Sequence, residues 1–254
     1  MREFSKRMAL LAIFVCLCMS AWAQKKTELR VAAASDMHPV LDIVGPMFEQ
    51  KTGIHLVVSY GASATLSHQI IAGSPVDIFF SADYVFAERV VAADLADSQN
   101  AIPYAKGALV LWVRKPVKAS LDLLHRKDLK TLAIANPDTA PYGRAAVFAL
   151  KKMKLYDALS PRFVQAENIM QAAQFAESGN AQIGLISQTI AESGKFKAEG
   201  TYVLFPLYAY PEIRQCAVVM KNSPHRDEAH KLLDFILSEQ IQDNLGKVGL
   251  RRVQ

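Results

Sequence analysis

Short apolar runs alternate with helical patterns along most of the chain, and this alternation limits its fold more than any other feature. Residues 29–34 and 55–60 have the composition of buried strands, as do residues 77–80. Each is followed by a segment with apolar residues at helical spacing, over 39–52, 65–72 and 83–92. Such strand–helix repeats are typical of α/β proteins with parallel strands. The pattern predicts one compact α/β lobe.

A second α/β lobe is predicted to begin near Gly107. Further strand-like runs lie at 109–113, 131–135, 182–186 and 213–220. Helical patterns lie near 120–125, 144–152 and 226–237. Two α/β units joined by crossovers, with a cleft between them, follow from this order. The pattern alone does not decide whether the chain returns to the first lobe at its end.

The N-terminus has the three parts of a secretory signal peptide. Arg2, Lys6 and Arg7 precede an apolar run over 8–19, and Ala-Trp-Ala at 21–23 supplies the small residues of a cleavage site. The apolar run is shorter than the roughly 20 residues that a membrane-spanning helix needs. We therefore predict that residues 1–23 are removed and that the remaining chain is periplasmic.

Composition excludes several classes of function for the predicted mature chain. Only Cys216 of the three cysteines remains, and its apolar surroundings predict a buried, inert thiol. The signal peptide carries a net charge of about +2, so about +3 of the formal +5 remains, without a dense basic block. Nucleic acid is therefore not an expected partner. No metal-binding histidine pair, nucleophile elbow, phosphate loop or dinucleotide motif is present, so we expect no enzyme, no catalytic residues, no bound metal cation and no cofactor.

Four junctions between a strand and a helix share small, hydroxyl-bearing or turn-forming residues. They lie at 34–36, 60–65, 136–143 and 167–170. The first N–H groups of a helix have no intrahelical acceptor, and the helix dipole adds positive potential there, so such ends bind anions. Each junction alone is also explained as an ordinary N-cap. Together they favour an anion-binding α/β protein.

These junctions and their flanking strands resemble the molybdate-binding periplasmic proteins of ABC importers. The matching blocks extend in order over nearly the whole predicted mature chain, at 32–36, 59–66, 70–83, 107–111, 136–143 and 184–187. The resemblance implies a two-lobed type II periplasmic-binding fold, in which each lobe is a mostly parallel sheet flanked by helices. It also implies a ligand in the interlobe cleft and a C-terminal segment that returns to the first lobe. The expected boundaries are 24–106 with 209–254 for lobe 1, and 107–208 for lobe 2.

The resemblance also implies a ligand shell of uncharged donors. Ser35 and Ser63 would contribute hydroxyl and backbone donors, Tyr142 and Ile169 backbone N–H groups, and Ser187 the last hydroxyl. Some family members have a tyrosine at the position of Ser187, so the shorter serine needs a water or a neighbour such as Tyr142 to complete the shell. A carboxylate facing a dianion repels it, so we expect Asp36 to turn toward its helix start and away from the ligand.

The resemblance implies capture of molybdate, or tungstate, by a monomer that delivers it to a membrane ABC permease. Three alternatives remain open at this point. The same scaffold serves other oxyanions such as sulfate, and a sensor domain presents its liganded form to a membrane receptor. An exported enzyme acting on a phosphate ester is the third alternative, although no activated nucleophile can be assembled for it.

Overall fold

A computed structural model describes residues 27–253 of the chain. The predicted signal peptide at 1–23 lies outside these residues. Within 27–253, no helix has the length and apolar character needed to cross a membrane.

Ten strands and ten helices build the described chain. The strands are β1 (Glu28–Ala34), β2 (His55–Gly61), β3 (Ile78–Ser81), β4 (Ile102–Gly107), β5 (Leu109–Arg114), β6 (Leu132–Ala135), β7 (Phe163–Ala166), β8 (Ile183–Ser187), β9 (Gly200–Leu204) and β10 (Ile213–Val219). The helices are α1 (His38–Thr52), α2 (Ser63–Ile71), α3 (Tyr84–Ala92), α4 (Pro141–Lys152), α5 (Tyr156–Leu159), α6 (Ile169–Ser178), α7 (Gln188–Glu192), α8 (Gly194–Glu199), α9 (Arg226–Leu237) and α10 (Glu239–Gln242). Short 3-10 turns connect several of them, including Ser35–Met37 and Leu121–His125.

The strands form two five-stranded sheets, one in each lobe. The first has the order β2-β1-β3-β10-β4 and the second the order β7-β6-β8-β5-β9. In each sheet four strands share one direction, and the fifth is antiparallel to both of its neighbours. The reversed strands are β10 and β5. Each of them is the first strand that the chain forms after it crosses from the other sheet. The reversed strand of each lobe therefore directly follows a crossover.

Helix α1 shows how the sequence builds the first lobe. Its apolar residues Val40, Val44 and Phe48 recur on one face and are buried against the sheet. The helix ends where Gly53 adopts a left-handed φ of 73° and its N–H bonds to the Glu49 carbonyl, a conformation that favours glycine. The chain then turns directly into β2, which pairs in parallel with β1.

The two lobes are in close contact across the cleft. Ala34, Ala62 and Ala82, at strand ends of the first lobe, belong to the same buried apolar cluster as the core of the second lobe. At the crossovers, the Leu109 N–H donates to the Tyr210 hydroxyl at 3.0 Å, which ties the two connections together. The described chain is thus a closed arrangement of the lobes.

The predicted two-lobed α/β fold is confirmed, and the strands and helices that were predicted lie within a few residues of their observed bounds. The sequence pattern did not predict bounds for helices α5, α6, α7, α8 and α10. Three strands were not predicted: β4, β7 and β9. Strand β4 contains Pro103 and lies at a sheet edge, and β7 and β9 are short edge strands that are only partly buried, so none has a strong apolar signature. The lobe boundaries stay a prediction; sheet membership changes after Gly107 and again before Ile213.

Candidate functional site

The first lobe places Ser35 at the carboxyl edge of its sheet. Strands β1 and β2 are parallel, with Ala34 opposite Gly61, so both end at the same edge. Ser35 directly follows β1, and its hydroxyl donates to the Gly61 carbonyl at 3.1 Å. To donate to a ligand, this hydroxyl has to leave Gly61, because it carries a single proton.

Ser63 is the first residue of α2 and lies at the same edge. Its Oγ accepts a hydrogen bond of 3.0 Å from the Ala82 N–H, just beyond the end of β3. The oxygen is held by this bond while its own proton remains for another acceptor. As a first-turn residue, Ser63 also presents an N–H with no acceptor inside its helix. Ser63 therefore offers two donors from a fixed position.

The second lobe presents helix starts at its own carboxyl edge. Strands β6, β7 and β8 are parallel, with Ala135 opposite Ala166. Tyr142 is the second residue of α4, after Pro141, and Ile169 is the first residue of α6. The preceding residue, Asn168, caps α6 by accepting from the Gln171 N–H at 3.0 Å. The N–H groups of Tyr142 and Ile169 lack an intrahelical acceptor because they lie in the first turn.

The structure brings these helix starts together across the cleft. The Ala64 N–H at the start of α2 donates to the Thr139 carbonyl before α4, at 3.0 Å. Helices α6 and α7 both contact the Ser35–Met37 turn. Ser35, Ser63, Tyr142, Ile169 and Ser187 are all buried, with at most 4% of any of them exposed. The five predicted residues are thus buried, on elements that meet between the lobes, and their role as ligand donors stays a prediction.

Ser187 differs from the other two serines because its oxygen caps its own helix. It is the N-cap of α7 and accepts from the Ile190 N–H at 3.4 Å. Its hydroxyl also forms a 2.9 Å bond with the Thr189 hydroxyl, in which either oxygen can donate. These two bonds use most of the hydrogen-bonding capacity of a serine hydroxyl. The role of Ser187 as a ligand donor stays a prediction.

Two residues that the sequence did not single out for the site, Gln215 and Arg144, form polar contacts across the lobes. The Gln215 side chain contacts the Asp36 carboxylate and donates to the Tyr142 hydroxyl at 3.1 Å. Arg144 forms an ion pair with Asp83, whose carboxylate also caps α3 through the Phe86 N–H at 3.0 Å. Gln215 and Arg144 belong to opposite lobes from their partners Tyr142 and Asp83. Both contacts have to break when the lobes separate.

Asp36, which contacts Gln215 within the first lobe, is completely buried. Burial raises the pKa of its carboxyl to about 7, although hydrogen bonds from Tyr142 and Gln215 act in the opposite direction. One carboxylate oxygen has no hydrogen-bond partner among the described residues. Asp36 lies in the first turn as expected, but its carboxylate does not cap that turn; it contacts Gln215 on β10 instead, a partner that the sequence did not predict. A carboxyl that holds its proton near neutral pH also repels an incoming dianion less.

Cys216 is the free thiol of the described chain and is buried within β10. Burial raises its pKa to about 12, so it stays protonated at neutral pH. The prediction that this thiol is buried is confirmed. Within residues 27–253, no group of three or more histidine, cysteine, aspartate or glutamate side chains is arranged to hold a metal ion.

Comparison with known proteins identifies the family. Residues 29–251 match the family described as bacterial extracellular solute-binding protein. The chain belongs to this family. It is similar to two proteins named molybdate-binding protein ModA. The one from Rhodobacter capsulatus is 32% identical over 225 residues, 87% of each chain, and the one from Azotobacter vinelandii is 33% identical over 232 residues, 90% of this chain and 92% of the relative.

The fold agrees with the solved structure of a molybdate-binding protein. The periplasmic molybdate-binding protein of Azotobacter vinelandii superposes with a TM-score of 0.83 at 28% identity, over 89% of this chain and all of that one. The match covers both lobes, so it supports the two-lobed type II fold as a whole. The relatives are solute-binding proteins in name and fold, which places this member of the family among proteins that carry ligands.

Proposed function

We propose that this protein captures molybdate, or tungstate, in the cleft between its lobes and delivers it to a membrane ABC permease from the periplasm. The observation that supports the proposal is the meeting of helix starts at the interlobe boundary: the start of α2, with Ser63, is bonded to the residues before α4, and α6 contacts the turn that carries Ser35. The names of the Rhodobacter and Azotobacter relatives supply the ligand.

The chemistry of the donors fits a small dianion. Burying an oxyanion without water is prohibitive unless its oxygens accept hydrogen bonds. Backbone N–H groups at helix starts and serine hydroxyls supply these bonds without a counter-charge that would have to be desolvated as well. Arg144 lies near the boundary, but its charge is already paired with Asp83. The proposed site therefore binds by uncharged donors.

Capture proceeds in two steps. The anion first docks on the donors of the first lobe, beside Ser35 and Ser63, while the cleft is open. The second lobe then closes and adds the N–H groups of Tyr142 and Ile169, with Ser187 as a further candidate. Closure removes water from the oxyanion and creates the surface shape that a permease recognises as loaded.

Titration calorimetry of the purified protein with molybdate, tungstate, sulfate and phosphate tests the proposal. We expect sub-micromolar binding of molybdate and tungstate, and no heat of binding with sulfate or phosphate at the same concentrations. Tight sulfate binding would assign the cleft to a different oxyanion. Absence of oxyanion binding, together with turnover of a phosphate ester, would replace the proposal with the enzyme hypothesis.

A further inference from the structure

A buried polar cluster joins the two lobes behind the proposed site. Its members are Asp36 on the Ser35–Met37 turn, Gln215 on β10 and Tyr142 on α4. Gln215 Nε2 lies 3.1 Å from the Tyr142 hydroxyl and also contacts the Asp36 carboxylate. Tyr142 is a proposed backbone donor of the second lobe, yet its hydroxyl is bound by Gln215 of the first lobe.

The backbone of the crossover fixes the Tyr142 ring on its remaining side. Gly107 ends β4 where the chain passes from one sheet to the other, and a Cβ added to it would lie 2.1 Å from the Tyr142 hydroxyl. The ring therefore fits only because this position carries no side chain. Tyr142, Gln215 and Asp36 are each exposed by 1% or less. The hydroxyl has a single well-defined location, between the crossover and the first lobe.

We infer that Gln215 and Asp36 are positioning residues of the oxyanion site: Gln215, whose amide also contacts the Asp36 carboxylate, binds the Tyr142 hydroxyl and so holds the first turn of α4 against the first lobe. The inference rests on the proposed function. The first turn of α4 carries the Tyr142 N–H, so holding the side chain also orients the backbone donor toward the anion. Opening the cleft has to break the bond between Gln215 and Tyr142, which therefore opposes release of the ligand more than its entry.

The chain contains a matched control for the Tyr142 hydroxyl. Tyr104, on β4, is also completely buried, and its hydroxyl has no hydrogen-bond partner among the described residues. Tyr142→Phe and Tyr104→Phe each remove one buried oxygen and keep the ring. Only Tyr142→Phe removes an interlobe bond, and it leaves the backbone N–H in place.

Stopped-flow and calorimetric binding of molybdate to the full protein tests the inference. We expect Tyr142→Phe and Gln215→Met to weaken binding about 10-fold, through faster dissociation and not through slower association. Because the two substitutions remove the same bond, their combination should cost at least 3-fold less than the product of the single effects. Tyr104→Phe should bind within about 2-fold of the wild type. Wild-type dissociation from Tyr142→Phe, or full additivity, overturns the inference.

A measurement without ligand separates this inference from the proposed function. Small-angle scattering of the ligand-free proteins gives their radii of gyration, which rise when the lobes separate. We expect a larger radius for Tyr142→Phe and Gln215→Met than for the wild type and Tyr104→Phe. If the wild type binds no oxyanion, the proposed function fails. The radii of the ligand-free variants and wild type still decide whether the Asp36–Gln215–Tyr142 cluster holds the lobes together. Equal radii in that case overturn the inference as well.

Discussion

Ser63 and Ser187 are both buried serines at a helix start, but their oxygens have different partners. Ser187 precedes α7 and accepts from the Ile190 N–H of that same helix. Ser63 lies inside α2, and its oxygen accepts from the Ala82 N–H of a neighbouring strand end. A serine that caps its own helix is explained by local structure. The Ser63 oxygen is instead bound by a group outside its own helix, so its hydroxyl proton and its backbone N–H remain available for a ligand.

The same contrast separates the two lobes. The first lobe offers side-chain hydroxyls at Ser35 and Ser63. In the second lobe the polar side chains at two of the junctions, Asn168 and Ser187, are used for capping, and the proposed donors are backbone N–H groups. Substitution of the capping side chains Asn168 and Ser187 should therefore impair binding less than substitution of Ser35 or Ser63.

The largest expected effect comes from a charge at Ser63. Ser63→Asp places a carboxylate beside the bound dianion and should raise the calorimetric Kd for molybdate by more than about 100-fold. Thr65→Asp is the matched control, because it adds the same charge to the same turn on an exposed side chain. Equal losses in both variants would show that general repulsion is responsible rather than contact at Ser63.

Removing single hydroxyls tests the contrast between Ser63 and Ser187 more finely. Ser63→Ala should raise the molybdate Kd about 30-fold, equivalent to ~2 kcal/mol for a hydrogen bond to a charged group. Ser187→Ala should change Kd less than about 3-fold and lower the free energy of unfolding by about 1 kcal/mol through loss of the cap. The comparison is broken if Ser187→Ala weakens binding as much as Ser63→Ala.

Asp36, next to Ser35, gives a pH-dependent prediction. The pKa of its carboxyl is about 7 in the folded protein, whereas the ordinary value is 3.8. Between pH 3.8 and pH 7, therefore, the folded protein keeps a proton on this carboxyl that the unfolded chain has lost. Its contribution to stability therefore falls as pH rises through this window and is constant above it. From pH 5 to pH 8 the wild type should lose about 3 kcal/mol of unfolding free energy relative to Asp36→Asn. Urea unfolding at both pH values measures this difference; parallel pH profiles would contradict it.

The smallest expected effect concerns the ion pair between Arg144 and Asp83. Arg144 of the second lobe pairs with Asp83 of the first, and it also lies 5.5 Å from the centre of the Phe86 ring. Arg144→Gln should speed molybdate dissociation about 3-fold and reduce its dependence on salt, because a partly exposed pair contributes little. Arg126→Gln, which breaks an exposed pair within one lobe, should leave dissociation unchanged. A stronger effect at Arg126 would exclude the interlobe explanation.

The fold and the helix starts could be predicted because their signals are local. Ser35 and Ser63 follow apolar strands and precede helical patterns, so strand-end geometry alone places them on one edge. Gln215 and Arg144 could not be predicted in this way. Gln215 lies within the apolar strand β10, where a buried amide demands partners, but its partner Tyr142 is 73 residues away. Arg144 reaches Asp83 only after the chain has crossed between lobes. The capping bonds of Ser187 likewise depend on where α7 begins.

Anomalous diffraction at the molybdenum edge, from crystals of the protein grown with molybdate, tests the central claim most directly. The account predicts one strong peak in the interlobe cleft, with the oxyanion within hydrogen-bonding distance of the Ser35 and Ser63 hydroxyls and the N–H groups of Tyr142 and Ile169. A peak outside the cleft, or one bound by charged side chains with Ser63 turned away, would contradict it.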